Sequence, residues 1–236
     1  MTQSPAVFCA LDRPDLEGAL ALGRSLADVV GGLKLGLEFV TANGPDGVRR
    51  VVDLGLPVFL DVKFHDIPNT VARAVRAAGA LGVAMLNLHV AGGPAMLRAA
   101  VAAADSLQPR PWLLGVTVLT SVDDHDLAAL GVPEPAPDQV LRLADLAQTA
   151  GLDGVICSSH EIRALRRRCG AGFKLVVPGI RPESSAPDDQ KRVMSPKEAA
   201  ALGADVLVIG RPITAAPDPR VAAQAIKAEI AAARAA

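Results

Sequence analysis

The stretch PVFLDVKFHD, residues 57–66, joins an apolar run to a cluster of charged side chains at its end. The run, residues 57–62, is continuous rather than alternating, which is typical of a parallel strand covered on both faces. Further runs of this kind occur at residues 7–11, 29–35, 83–90, 113–119, 154–157, 175–177 and 206–209. The sequence therefore predicts eight parallel strands.

Stretches typical of helices separate the predicted strands. Residues 14–29 and 94–107 have proline at an early helical position, and residues 195–198, SPKE, combine an N-cap serine with a glutamate three residues later. Residues 138–150 and 218–235 begin with an acidic residue and keep one apolar face. These stretches predict helices between successive strands.

The alternation of eight strands with helices, without a linker-like change in composition, predicts an α/β protein with a single (β/α)8 TIM barrel over residues 1–236. A doubly wound open sheet is the alternative. That fold usually has fewer strands, and the first turn, LDRP at residues 11–14, lacks the glycine-rich fingerprint of dinucleotide binding. The barrel is therefore the favoured architecture.

The charge balance limits the kinds of partner. Lys and Arg number 24 and Asp and Glu 25, so no field of the whole chain attracts nucleic acid or an acidic membrane surface. The RRR run at 166–168 predicts only the exposed end of a helix. Segment 77–97 has no formal charge, but it contains Asn87, His89 and Pro94 and does not fit a membrane span. We therefore expect no nucleic acid and no membrane partner.

The cysteines indicate a reducing compartment. Cys9, Cys157 and Cys169 form an odd, widely spaced set, which is typical of thiols in the cytosol rather than of disulfides. Cys157 and His160 lack partners at metal-ligand spacing, so no metal site is predicted. Residues 1–10 lack the pattern of a secretory signal. The expected location is the cytoplasm.

Charged side chains lie near the ends of the predicted strands, where barrel enzymes carry their chemistry. Asp61 and Lys63 are two residues apart and share one face of a strand, Lys34 lies in the second run, and Asp66 follows the third. In a partly desolvated site these alternating charges would fix one another's position and protonation. A buried ion-pair network that only fills the barrel is the alternative, but four charges at neighbouring strand ends favour a catalytic site.

Glycine and arginine mark the loops after the last two predicted strands. Gly179 and Gly210 allow close approach of the backbone to a ligand, and Arg211 offers several N–H donors to a phosphate. These loops form the usual phosphate site of the barrel fold. A turn with a surface arginine is the alternative. His89, near the end of the fourth run, fits either the barrel mouth or a hydrogen-bonded core position.

One long motif, FLDVKFHDIPNT at residues 59–70, is highly specific. Shorter motifs accompany it along almost the whole chain: FCALD at 8–12, LKLG at 33–36, TVLT at 117–120, PGIR at 178–181, DDQKR at 188–192 and GRPI at 210–213. Together, and in this order, they resemble the bacterial type of the orotidine 5′-phosphate decarboxylase family. The resemblance implies a homodimeric barrel that converts orotidine 5′-phosphate to UMP and CO₂, the last step of UMP synthesis, without metal or cofactor.

The resemblance also implies catalytic roles. Lys63 would donate the proton to C6 of the pyrimidine, and Asp61 would lie beside the departing CO₂. Lys34 would contact the ribose and anchor the row of charges, and Asp66 would reach the active site of the partner subunit.

Further substrate contacts are implied by the same motifs. Asp12 would bind the ribose, Thr120 the base, and Gln190, Gly210 and Arg211 the phosphate. Arg181 would be the first residue of the phosphate-side loop. Ile67 and Thr70 would enter the partner's site together with Asp66.

Two alternatives stay open. Magnesium-dependent 3-keto-gulonate-phosphate decarboxylases and hexulose-phosphate synthases share the D-x-K-x-x-D block, but they resemble this chain less at Lys34, where they carry an acidic metal ligand. A non-catalytic UMP-binding or scaffold barrel is the other alternative. It would bind the nucleotide without turnover.

Overall fold

The computed structural model describes residues 4–182 and 194–232. The strands are β1 (Ala6–Ala10), β2 (Gly32–Leu35), β3 (Val58–Phe64), β4 (Met85–His89), β5 (Trp112–Val116), β6 (Gly154–Ile156), β7 (Lys174–Pro178) and β8 (Val206–Ile209). They are parallel and close in chain order, because β1 pairs with both β2 and β8. The predicted TIM barrel is confirmed, and every predicted run overlaps a strand.

Helices surround the barrel. They are α1 (Leu16–Leu26), α2 (Leu37–Val52), α3 (Pro68–Gly79), α4 (Gly93–Asp105), α5 (Asp124–Ala129), α6 (Ala136–Thr149), α7 (Ile162–Cys169), α8 (Pro196–Leu202), α9 (Arg211–Thr214) and α10 (Pro219–Ala232). Helix α1 starts later than predicted because the Asp15 carboxylate caps it by accepting from the Gly18 N–H. Ser195 and Glu198 form the predicted capping box of α8. No helix in the described ranges is long and apolar enough to cross a membrane.

The apolar core has two parts, because each strand is covered on both faces. The larger part lies between the sheet and the helices. The smaller part fills the barrel interior and consists of Phe8, Ala10, Phe59, Met85, Leu114, Val176, Val206 and Val208. This packed interior supports the strand ends above it, so side chains at the carboxyl ends of the strands stand on a rigid base.

Strand β3 departs from regular geometry at its carboxyl end. Its register with β4 shifts between Leu60 and Phe64, and Lys63 has a φ of +52°. The sequence predicts a regular alternation that places Asp61 and Lys63 on one face. The two side chains do meet, but through a bulge, which re-aims a side chain at the rim of a barrel.

Arg166 corrects the prediction of an exposed arginine run at the end of α7. Its guanidinium is half-buried and donates to the Gly203 carbonyl and to the Asp205 carboxylate, each at 2.6 Å. Arg168 is exposed as predicted and pairs with Asp145. Arg166 thus connects α7 to the start of β8.

Candidate active site

Four charged side chains form an alternating row at the carboxyl end of the barrel. Lys34 Nζ lies 2.6 Å from Asp12 Oδ1 and 3.7 Å from Asp61 Oδ2. Lys63 Nζ lies 2.6 Å from Asp61 Oδ1. The side chain of Lys34 is 9% exposed and that of Asp61 is 16% exposed, so the centre of the row is largely removed from water. Lys34 and Asp61 are therefore stabilised mainly by the neighbouring charges of the row.

Asp66 lies outside this row within the chain. It follows β3, where the backbone turns towards α3, and its Oδ1 accepts from the Ile67 N–H at 2.6 Å. It is exposed and pairs with no cation among residues 4–182 and 194–232. The intramolecular row therefore runs from Asp12 to Lys63, whereas the sequence predicted one that ended at Asp66.

Asn87 is a buried residue that the predicted site did not include. Its Nδ2 donates to Asp61 Oδ1 at 2.7 Å, and its Oδ1 accepts from the Lys63 backbone N–H at 2.7 Å. The signal in the sequence is a carboxamide inside the apolar run 83–90. Because buried polar groups require partners, such a residue points to polar neighbours on an adjacent strand.

Gly36 also contributes to the row. A Cβ at this position would lie 2.8 Å from Asp12 Oδ1 and 3.0 Å from Lys34 Nζ. The glycine of the LKLG motif therefore leaves the space in which the Lys34–Asp12 pair forms.

Two cavities meet at the row of charges. A cation-lined cavity of about 330 Å³ is bordered by Asp12, Lys34, Asp61, Gly179, Arg181, Gly210 and Arg211, among others. An apolar cavity of about 190 Å³ is bordered by Phe59, Asp61, Lys63, Val116, Thr120, Ile156, Cys157 and neighbouring apolar residues. Asp61, Pro178 and Val208 border both. The geometry suits a ligand with an anionic end and a less polar end.

The structure therefore brings most of the predicted site residues to these cavities. Asp12, Lys34, Arg181, Gly210 and Arg211 border the cation-lined cavity, and Lys63 and Thr120 border the apolar one. Ile67 and Thr70 border neither cavity and lie exposed near the start of α3. Gln190 lies outside the described residues.

His89 and Cys157 are titratable groups close to the site. The His89 ring lies 5.4 Å from the His65 ring, and burial together with the charges of His65 and Lys63 lowers the pKa of His89. Burial raises the pKa of the Cys157 thiol well above its usual range. Both groups are therefore neutral near pH 7, whereas the Lys63 side chain borders the apolar cavity.

The row does not resemble a metal site. Asp12 and Asp61 are each paired with a lysine ammonium, and Lys34 between them would repel a bound cation. In the described ranges, only Asp123, His125 and Asp126 bring ligand atoms close enough for a metal ion. That group is exposed and borders neither cavity.

Comparisons with known proteins agree with the geometry. Residues 5–226 match the model of the Orotidine 5′-phosphate decarboxylase / HUMPS family. The chain is 55% identical over 237 residues to the orotidine 5′-phosphate decarboxylase of Rhodospirillum rubrum, covering 98% of this chain and 95% of the relative. It is 52% identical over 229 residues to that of Paramagnetospirillum magneticum, covering 95% and 97%.

A solved structure shows the same architecture. The orotidine 5′-phosphate decarboxylase of Lactobacillus acidophilus matches with a TM-score of 0.83 and 36% sequence identity, over 97% of this chain and 99% of that one. The family match, the curated relatives and the barrel agree with one another. The chain therefore belongs to the orotidine 5′-phosphate decarboxylase / HUMPS family.

Proposed function

We propose that this protein decarboxylates orotidine 5′-monophosphate to UMP and CO₂, the final step of pyrimidine nucleotide synthesis. The observation that carries the proposal is the Lys63–Asp61 pair at the junction of a cation-lined and an apolar cavity. The cation-lined cavity suits a phosphate and the apolar one a pyrimidine ring. The curated relatives named above bear the same activity in their names.

The reaction breaks the bond between C6 and the carboxylate, and the electron pair stays on C6. No carbonyl or iminium group next to C6 can absorb this charge. A placed cation must therefore stabilise it, and the Lys63 ammonium beside the apolar cavity supplies that charge. The same ammonium then donates its proton to C6. Electron pair and proton are balanced without a cofactor, so we propose none.

Asp61 and Lys34 organise this reaction in our proposal. Asp61 holds the Lys63 ammonium at 2.6 Å and lies beside the departing carboxylate. Lys34, between Asp12 and Asp61, neutralises both carboxylates and reaches the ribose together with Asp12. A row of fixed, opposite charges costs little reorganisation when charge develops on the substrate.

We assign the phosphate to the cation-lined cavity. Arg211 and Gly210 follow β8, Arg181 follows β7, and both loops occupy the position that binds phosphate in this fold. Gln190 would complete the phosphate site, and Thr120 would contact the base from the rim of the apolar cavity. Because the phosphate is remote from C6, its binding energy contributes to the rate by orienting the ring over Lys63.

We further propose a homodimer in which Asp66, Ile67 and Thr70 enter the partner's site. Ile67 is 67% exposed, and the Asp66 carboxylate stands clear of the intramolecular row. An exposed isoleucine beside an acidic group fits a surface that a second copy covers. Asp66 would then extend the partner's row of alternating charges at Lys63.

Subunit mixing tests this dimer. Lys63→Ala and Asp66→Ala are each expected to be inactive, but a mixture forms hybrid dimers with one intact site and regains activity. Subunit exchange is demonstrated separately with two affinity tags. Exchange without recovered activity would contradict the trans role of Asp66.

We propose a cytoplasmic location, which the thiols support. Cys9, Cys157 and Cys169 are all buried and form no disulfide. Burial, with the nearby Asp12 carboxylate, raises the pKa of Cys9 to about 12. These reduced, buried thiols support the expectation of a cytoplasmic enzyme.

The direct test follows the loss of orotidylate absorbance with purified protein and identifies UMP chromatographically. Wild-type protein is expected to turn over at the same rate before and after EDTA treatment. An activity that EDTA removes and Mg²⁺ restores would favour the magnesium-dependent relatives, and tight UMP binding without turnover would favour a non-catalytic barrel. Either result would overturn the proposal.

A further inference from the structure

We propose that Asn87 is a positioning residue for the decarboxylation, which sets the direction of the Lys63 side chain and the place of the Asp61 carboxylate. The inference rests on the proposed function and goes beyond it, because Asn87 lies on β4, reaches across to β3 and borders neither cavity. It acts on the substrate only through Lys63 and Asp61.

Both ends of the Asn87 carboxamide are used. The side chain is fully buried, its Nδ2 donates to Asp61 Oδ1 and its Oδ1 accepts from the Lys63 N–H, each at 2.7 Å. Asp61 Oδ1 is also the atom that lies 2.6 Å from Lys63 Nζ. One carboxylate oxygen is thus held by Asn87 and in turn holds the proposed proton donor.

The backbone conformation of Lys63 explains why the two hydrogen bonds of Asn87 are needed. Lys63 is the only non-glycine residue with positive φ in the described ranges, at +52°, and it lies within the bulge of β3. A lysine adopts this conformation only where its surroundings enforce it. The bulge removes the regular strand partner of the Lys63 N–H, and the Asn87 oxygen replaces it. Loss of this acceptor would let the backbone relax and carry Nζ away from the apolar cavity.

A purely structural asparagine would satisfy the same hydrogen bonds without affecting the chemistry. Two variants separate the two roles. Asn87→Ala removes both contacts. Asn87→Asp keeps an acceptor for the Lys63 N–H but places a second carboxyl against Asp61, and two adjacent carboxyl groups share one proton with a raised pKa. With the proton present, the introduced carboxyl can donate to Asp61 as the amide did.

The expected results differ in pH dependence. Asn87→Ala lowers kcat by about 100-fold, the effect of a displacement near 1 Å at a reacting group, and leaves KM and the UMP dissociation constant within about threefold. Asn87→Asp has a kcat that, relative to wild type, rises as pH falls from 8 to 5. The charged groups bonded to Asn87 or to its partners are Asp61, Lys63 and Lys34, with His89 and His65 close to Lys63, and Asn87→Ala retains all of them. The ratio of the Asn87→Ala kcat to the wild-type kcat should therefore not change with pH.

The experiment measures kcat and KM for orotidylate at five pH values, with UMP binding and thermal melting of each variant. Asn43→Ala is the matched control, because the Asn43 carboxamide also takes part in two hydrogen bonds, which its Nδ2 donates to the Pro14 and Phe39 carbonyls outside the row. It should keep wild-type kcat. Inactive wild type would overturn the proposed function, and this inference with it.

Active wild type with Asn87→Ala within threefold in kcat would overturn the role of Asn87 alone. If Asn87→Ala fails to fold, Asn87→Asp provides the test. A ratio of its kcat to the wild-type kcat that does not change with pH would contradict the positioning role of Asn87.

Discussion

The two ends of this barrel both carry lysine, arginine and aspartate, but they use them differently. At the amino end, the Asp153 carboxylate accepts from the Leu113 N–H at 2.7 Å and from Arg110, and the Asp205 carboxylate accepts from the Leu175 N–H at 2.8 Å and from Arg166. Those charges connect strands and helices to one another. At the carboxyl end, Asp12, Lys34, Asp61 and Lys63 border open cavities instead.

Cavity size does not distinguish the site. The amino end has a cavity of about 880 Å³, lined by Phe8, Met85, Trp112, Arg110 and Lys174 among others, and it is larger than either cavity at the carboxyl end. Its charged groups are already satisfied by backbone and opposite charge. In this fold we expect chemistry from ions that border an open cavity at the carboxyl end, whereas the paired ions at the amino end stabilise the barrel.

The largest expected effect compares two lysines. Lys63 and Lys174 have side chains of similar exposure, 29% and 32%, and each has an aspartate partner. Lys63→Ala should lower kcat by about four orders of magnitude, because in the proposed mechanism Lys63 is both the general acid and an electrostatic stabiliser, each worth about 100-fold or more. Lys174→Ala should keep kcat within about twofold. Spectrophotometric assays measure kcat for both variants. Equal losses of kcat would contradict a functional difference between the two ends of the barrel.

The next effect concerns the phosphate binding that we propose for Arg211. Arg211→Ala should lower kcat/KM for orotidylate by about 10- to 150-fold, since a hydrogen bond to a charged group contributes about 1.5–3 kcal/mol. The substrate without its phosphate, orotidine, serves as an internal control. Its kcat/KM should be equal in wild type and variant. A loss of the same size for orotidine would show that Arg211 serves the ring or the fold instead.

A smaller effect is expected from the amino end. Arg166→Met keeps the apolar stem but removes the donors to Asp205 and to the Gly203 carbonyl. Breaking a buried ion pair costs about 3–5 kcal/mol, and this one is 20–25% exposed, so we expect a loss of about 1–3 kcal/mol in the free energy of unfolding. Urea unfolding measures it. Activity below the transition should stay within about twofold of wild type, and a large fall in kcat would contradict a purely structural role.

Only some features of the fold and of the candidate site can be predicted from the sequence. Unbroken apolar runs reveal parallel strands because both faces are covered, and charges within such runs stand out, so Lys34, Asp61 and Lys63 could be identified. The bulge at Lys63 could not be predicted, because it depends on an acceptor from another strand, Asn87. The prediction that Arg166 is exposed is wrong for the same reason. Its position in a basic run predicts exposure, and only the fold brings Asp205 to it.

The smallest effect lies at the surface pair of Arg220 and Asp28, which connects α10 to the end of α1. Both groups are exposed, so Arg220→Ala should destabilise less than Arg166→Met, and added salt should reduce the difference. Hydrogen bonding to Arg220 lowers the pKa of Asp28 to about 2. A lowered pKa in the folded state stabilises the protein above the unfolded value near 4, and this contribution is lost as pH falls towards 2.

The gap in unfolding free energy between wild type and Arg220→Ala should therefore be constant from pH 7 to 5 and shrink below pH 4. Asp28→Asn is the matched variant. If the two residues act as a pair, each single variant should lose the same free energy of unfolding, and the double variant should lose no more than either. Urea unfolding across this pH range measures all four proteins. A gap that persists unchanged at pH 3 would mean that Arg220 acts through its hydrogen bond to the Ser25 carbonyl rather than through Asp28.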